Sequence, residues 1–336
     1  MLKFQLEESI KMFINHKDNL YYMEQPVYQI LEVDVIKENR LSSSIIKVLA
    51  YFDIFKYPLT ADEIFEYCDF KNKDFMTLKR ELEVLTGFGQ IKNSGPYYFI
   101  GEMSHIEERE HNNSLSEKLM KKALRYSKLI SKFPYVRCIC ISGSLSKKSA
   151  DEKADIDYFI ITEKNRLWIC RTILALFKKI FLLNSNKYFC INYFVDSANL
   201  EIPDKNIYTA TEIAFLIPVF HYENFFHFLA SNNWISQYYP GKRIEVYNDE
   251  KETEGLIKAA IESIFDNRFG DLIDDACLKM NKLYKKFKFK SMSQDMLKNN
   301  LRSLKGVSKH HPNSYQNKIL IQYKEKLDRF QGICSL

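Results

Sequence analysis

The chain has 336 residues, 46% apolar and 27% charged, which gives it room for two or three packed units and an ordinary globular composition. No run of about eighteen apolar residues occurs, and the opening MLKFQLEESIKMF lacks a signal peptide's apolar stretch, so a cytoplasmic chain with no membrane partner is expected. Seven cysteines, an odd number without Cys-x-x-Cys spacing and mostly set in apolar strings such as VRCICIS, argue against a disulfide framework and against zinc.

Glycine and proline are scarce, at 10 and 8, which points to a helix-rich chain. Residues 1–40 show only partial helical periodicity and read as an extension. From 41 to 102 the pattern sharpens. SSIIKVLAYF has helical spacing, Thr60-Ala61-Asp62-Glu63 is a capping box opening a second helix, and Phe75, Leu78, Leu82 and Leu85 mark a third. QIKNS, the Gly95-Pro96 turn and YYFIG then form a hairpin. Three short helices followed by a hairpin resemble a winged helix-turn-helix module. Its third-helix region, Lys71 to Lys92, carries five basic and three acidic residues, a thin excess for a duplex binder.

A linking helix is expected within 103–133. In 134–240, Val136–Ile141 is a strand running into Ser142-Gly143-Ser144, Asp155–Thr162 a second strand, Arg166–Leu183 a helix and Tyr188–Val195 a third strand. Past Thr209 the chain reads as helix, with Pro218 kinking or ending it. The remainder, 241–336, is expected to be helical and basic. From Lys279 onward it holds fourteen Lys/Arg against three Asp/Glu, while the whole chain is only +6. Lysines alternate with aromatics in YKKFKFK (284–290), a pattern that suits a single nucleic-acid strand, although a solvated lysine face explains it as well. His310-His311 before Pro312 reads as loop, with a phosphate contact the alternative. Arg166 and Arg171 flank the predicted site helix and read as surface ion-pair residues, with nucleotide contact the alternative. The fold class is α+β and helix-rich.

The chemistry concentrates between Ile141 and Thr162. Residues i and i+2 of a strand share a face, so Asp155 and Asp157 project together, and two such carboxylates call for a cation between them. Hard oxygen ligands favour Mg²⁺ or its relative Mn²⁺. Gly143 lets backbone approach a phosphate closely, Ser144 supplies a hydroxyl, and Lys147 adds positive charge.

Gly-Ser followed at this separation by Asp-x-Asp resembles the DNA polymerase beta-type nucleotidyltransferase superfamily, especially its small bacterial members. The resemblance implies that Gly143 and Ser144 bind the phosphates of an NTP and that Asp155 and Asp157 ligate metal. It further implies transfer of a nucleoside monophosphate to a hydroxyl with release of pyrophosphate. Two departures stand out: the turn continues Leu145-Ser146-Lys147-Lys148 rather than Ala-Arg-Gly, and the third carboxylate expected on the next strand is replaced by Asn192. Asp196 shares Asn192's parity, so either is a candidate third site residue, with Glu201 a further substitute. The acceptor is open between a small molecule, a protein side chain and an RNA end. Rival readings are a winged-helix DNA-binding regulator whose nucleotidyltransferase domain only senses nucleotide, and a toxin–antitoxin-type enzyme acting on RNA or a partner protein.

Overall fold

The computed structural model describes residues 20–22, 41–69, 74–247, 255–290, 292, 301–310 and 315–330. Most of the extension at 1–40, the His311-Pro312 pair and Cys334 lie outside the described residues.

Helix α1 (Leu41–Asp53), the short strand β2 (Leu59–Thr60), α2 (Ala61–Tyr67) and α3 (Phe75–Gly87) precede β3 (Lys92–Ser94) and β4 (Tyr97–Phe99). These strands form a small antiparallel sheet in the order β2-β4-β3. The capping box is formed as its residues dictate: the Glu63 amide donates to Thr60 Oγ1 at 3.3 Å and the Thr60 amide to the Glu63 carboxylate at 2.8 Å. That carboxylate also receives both guanidinium nitrogens of buried Arg109 at 2.8 Å, pinning the module to the long helix α4 (His105–Ser131).

A six-stranded mixed sheet forms the centre, its strands in the spatial order β10 (Ser303–Leu304), β11 (Val307–Lys309), β7 (Cys190–Asp196), β6 (Asp157–Thr162), β5 (Val136–Ser142) and β8 (Ile217–Phe220). β5 (Val136–Ser142) runs antiparallel to β6 (Asp157–Thr162) and to β8 (Ile217–Phe220), whereas β6 and β7 (Cys190–Asp196) are parallel and joined across α6 (Leu167–Phe181). Between β5 and β6 lies the one-turn helix α5 (Gly143–Ser146).

Two expectations are corrected here. The helix read past Thr209 is in fact α7 (Ile207–Ala214), strand β8 and α8 (Tyr222–Ser231). Pro218 sits in β8 at the edge of the sheet, where its missing N–H costs no ladder bond. The carboxyl-terminal region is not purely helical either. After α9 (Leu256–Phe265) and α10 (Arg268–Lys288), the strands β10 (Ser303–Leu304) and β11 (Val307–Lys309) extend the central sheet beyond β7, before α11 (Tyr315–Asp328). Lys285 of α10 holds this hairpin, donating to Leu301 O, Ser303 Oγ and Lys309 O within 3.3 Å. Leu20–Tyr22 (β1) pairs antiparallel with β9 (Glu245–Tyr247).

Alternation along the central strands sorts side chains into two cores. Cys138, Cys140, Phe159, Ile161 and Val195 face a core continuous with α1–α3, α7 and α8. Ile139, Ile141, Tyr158, Ile160 and Phe194 face another built with α4 and α6. The amino-terminal module therefore shares its interior with the sheet, as the Tyr67–Phe215 ring pair at 5.0 Å illustrates. Among the described residues no helix is long and apolar enough to cross a membrane.

Candidate active site

At one end of the sheet, Ser142 of β5, Asp157 of β6 and Cys190 of β7 lie in one register row. The chain leaving Ser142 must turn sharply over its neighbour, and it does so at Gly143 with φ +71°. A Cβ there would stand 2.5 Å from Asp157 Oδ2, so both the backbone conformation and the contact demand glycine. The resulting turn leads into α5, where Lys147 reaches back. Its ammonium donates to Gly143 O and pairs with Glu212 of α7, both at 3.0 Å. Lys147 is thus brought to the turn, but its charge is engaged internally.

Asn192 meets Asp157 through a β-bulge. Tyr158 pairs with Ile191 and Phe159 with Tyr193, leaving Asn192 as the extra residue. The bulge aims its side chain at the row of Asp157: Asn192 Nδ2 donates to Asp157 Oδ1 at 2.6 Å, and its Oδ1 accepts from Cys190 Sγ at 3.3 Å. An ionised carboxylate only accepts, which fixes the amide's orientation. On the other edge, the His310 amide donates to Asn192 O at 3.0 Å, so β11's chain clamps the bulge.

The same bulge removes Asp196 from the site. It reverses the strand's parity, so that Asp196 follows Phe194 onto the opposite face of the sheet. Asp196 also pairs with Thr162, five residues along β6 from Asp157, or about 16 Å at the rise of a strand. There it is fully buried and accepts from the Asn165 and Ala198 amides and from Asn199 Nδ2. The equal parity of positions 192 and 196 misleads because Asn192 is itself the unpaired residue of the bulge. Glu201 is paired with Lys205 on the surface. Arg166 is buried and paired with Asp271, and Arg171 lies over the Phe194 ring with no carboxylate partner among the described residues.

Asp155 precedes β6 rather than standing on it, so the strand-alternation argument does not place it. Its charge, like that of Glu212, nonetheless acts on Asp157. Burial, first, and these two carboxylates raise the Asp157 pKa from 3.8 to about 6, against the Cys190 thiol's hydrogen bond and the Lys147 charge. Desolvation and the neighbouring Asp157 hold the Cys190 thiol well above its ordinary value. Tyr208 of α7 is likewise pushed up by burial and by Glu212 and Asp157.

The site therefore contains three residues that sequence reasoning did not select. Cys190 read as a core cysteine, and Glu212 and Tyr208 arrive from a helix whose approach no local motif announces. Beyond the turn a small open cleft of about 40 Å³ lies between the sheet and the amino-terminal module, with Ser146, Lys147, Lys148, Phe215, Lys242 and Arg243 in its wall. Three of its lysines are already paired, with Glu212, Glu245 and Glu66.

A partly desolvated carboxylate beside a second one, with one oxygen bonded by an amide, is a donor set for a hard cation. Among the described residues no group of three or more His, Cys, Asp and Glu side chains converges as a metal cage. Mg²⁺ or Mn²⁺, which completes its shell with water and phosphate oxygens, fits two carboxylates; a closed zinc site does not. No family model matches the sequence, and searches of curated proteins and of solved structures find no significant match.

Proposed function

We propose that the chain is a Mg²⁺-dependent nucleotidyltransferase that moves a nucleoside monophosphate from an NTP to a hydroxyl acceptor. The observation that carries this reading is the positive-φ glycine turn closed over the desolvated Asp157, two residues after Asp155 in the chain. Gly143 and Ser144 would hold the phosphates, and Asp155 and Asp157 would hold the metal, which screens the α-phosphate and the leaving pyrophosphate. In such transfer the protein's work is chiefly positioning and charge, so a small set of residues is sufficient.

The amide of Asn192 cannot take a proton from the acceptor. It instead stabilises the ionised form of Asp157 and fixes its direction. That substitution also favours a second reading, in which the domain binds nucleotide without turning it over and the amino-terminal module acts as a winged-helix regulator.

The deciding experiment is incubation with each α-labelled NTP and Mg²⁺, following pyrophosphate and transferred label. Pyrophosphate released by wild type and not by Asp157→Ala supports catalysis. Mg²⁺-dependent binding with no pyrophosphate supports the sensor, and no binding of any NTP sinks both.

A further inference from the structure

Arg171 of α6 lies over β7, its guanidinium carbon 5.6 Å from the centre of the Phe194 ring. Its Nε is enclosed with no hydrogen-bond partner among the described residues. The sheet beneath it carries a second such group. Phe194 of β7 pairs with Ser308 of β11, and Ser308 with Ser303 of β10. Directly opposed residues share a face and stand roughly 5 Å apart, so Ser303, Ser308 and Phe194 form one row across three strands. Ser303 at its outer end accepts from Lys285 Nζ of α10 at 2.8 Å and donates to Asn281 Oδ1 at 3.3 Å. Ser308 in the middle is fully buried, and its Oγ has no hydrogen-bond partner among the described residues. An unbonded hydroxyl therefore lies between an ammonium and a guanidinium.

The carboxylates of the surrounding elements are engaged elsewhere. On α10, Asp271 pairs with Arg166, and Asp274 and Asp275 pair with Lys305. Asp196, two residues beyond Phe194 on β7, is taken by its three N–H donors. The other basic residues of α6 and α10 only add to the positive excess. Lys178, two turns along α6 from Arg171, donates to Asn186 Oδ1, and exposed Lys288 lies over the Tyr284 and Phe289 rings. Burial alone holds the Arg171 guanidinium below its usual value, at about 10, and burial together with Arg171 lowers Lys285 to about 7. A ring face returns only part of what a guanidinium loses on leaving water.

We propose that Arg171 and Ser308, with the charge of Lys285 beside them, form a site for a small phosphate-class dianion between α6, α10 and β11. Two cations call for two negative charges, which phosphate or a phosphate monoester carries near neutral pH and chloride or a single carboxylate does not. The planar guanidinium offers its donors in the fork that suits phosphate oxygens, and the Ser308 hydroxyl adds one more. Lys285 spends its N–H donors on Leu301 O, Ser303 Oγ and Lys309 O, so it contributes charge alone. Half-buried Arg171 is the accessible member of the three. With Ser308 wholly enclosed, the ligand is a free ion or a terminal phosphate group rather than the backbone of a nucleic acid. The site lies on the face of Phe194, whereas Asp157 shares the face of Phe159, and it is independent of the nucleotidyltransferase reading.

The test is thermal unfolding of the full chain at pH 7.5, titrated with inorganic phosphate or with glycerol phosphate at an ionic strength held constant by sodium chloride. Stability is expected to rise with phosphate beyond the chloride control, as binding to the folded state requires. Whichever compound acts at the lower concentration identifies the free ion or the monoester as the ligand. Arg171→Met should weaken the apparent affinity roughly tenfold or more, and Ser308→Ala roughly threefold to tenfold. The response should persist in Ser144→Ala, which alters the glycine turn instead. Should Arg171→Met fail to fold, Ser308→Ala still decides. No rise beyond the chloride control, a response indifferent to Arg171→Met and Ser308→Ala, or one lost only in Ser144→Ala would each overturn the proposal.

Discussion

Asp157 and Asp196 sit at opposite ends of the same pair of parallel strands, and the contrast between them separates chemistry from architecture. Asp196 is fully buried, and three N–H donors converge on it from the loops that follow β6 and β7. Its charge is answered by the fold. Asp157 is partly buried with one amide and one thiol for company, and two further carboxylates disfavour its ionised form. Burial without enough donors leaves a carboxylate whose charge wants an outside partner. A functional acid is recognised by that deficit rather than by burial alone.

The largest expected effect is at the satisfied end. Asp196→Ala strands three donors and should cost about 3 kcal/mol or more in urea denaturation. Asp157→Asn should move stability the other way. A carboxyl whose folded pKa is raised favours folding when protonated, and that contribution fades as pH rises from 3.8 through about 6. Above that window the wild type bears the penalty in full. Asp157→Asn is therefore expected to be more stable than wild type by roughly 1–3 kcal/mol at pH 7.5, the gap closing toward pH 4. Equal costs for the two substitutions would erase the distinction between the ends.

Next in size, Gly143→Ala should lose roughly 1–2 kcal/mol, since alanine is strained at φ +71° and its methyl would press on Asp157. Asn192→Asp sharpens the comparison by placing a carboxylate where the amide now sits. It should tighten Mg²⁺ binding, measured by Mn²⁺ competition, by about tenfold while lowering stability slightly through like-charge repulsion. Smallest is Thr60→Ala, which removes half of the capping box for about 1 kcal/mol with nucleotide binding unchanged.

The parts of the molecule legible in the sequence are those governed by local rules. The Thr60–Glu63 box, the apolar spacing of α3 and the glycine turn after β5 each carry their cause within a few residues. Pro218 was visible as a helix breaker, but its place on an edge strand depends on β5 lying beside it. The bulge at Asn192 is set by clamping between β6 and the carboxyl-terminal β11, so parity along β7 alone could not exclude Asp196. Glu212 and Lys147 meet only because α7 returns over the turn. The basic excess in the last quarter of the sequence likewise hid the fact that Lys285 and Lys309 are structural members of the sheet edge.

The proposed function stands on Asp157 as the acid that would take an outside cation and, through it, phosphate. Calorimetric titration of each NTP with Mg²⁺ into wild type, Asp157→Asn and Glu201→Gln tests it most directly, the last being a surface control away from the turn. The account predicts Mg²⁺-dependent binding to wild type and to Glu201→Gln, weakening as pH falls below about 6 and lost in Asp157→Asn. Binding that survives Asp157→Asn, or no binding by wild type at any pH, would contradict it.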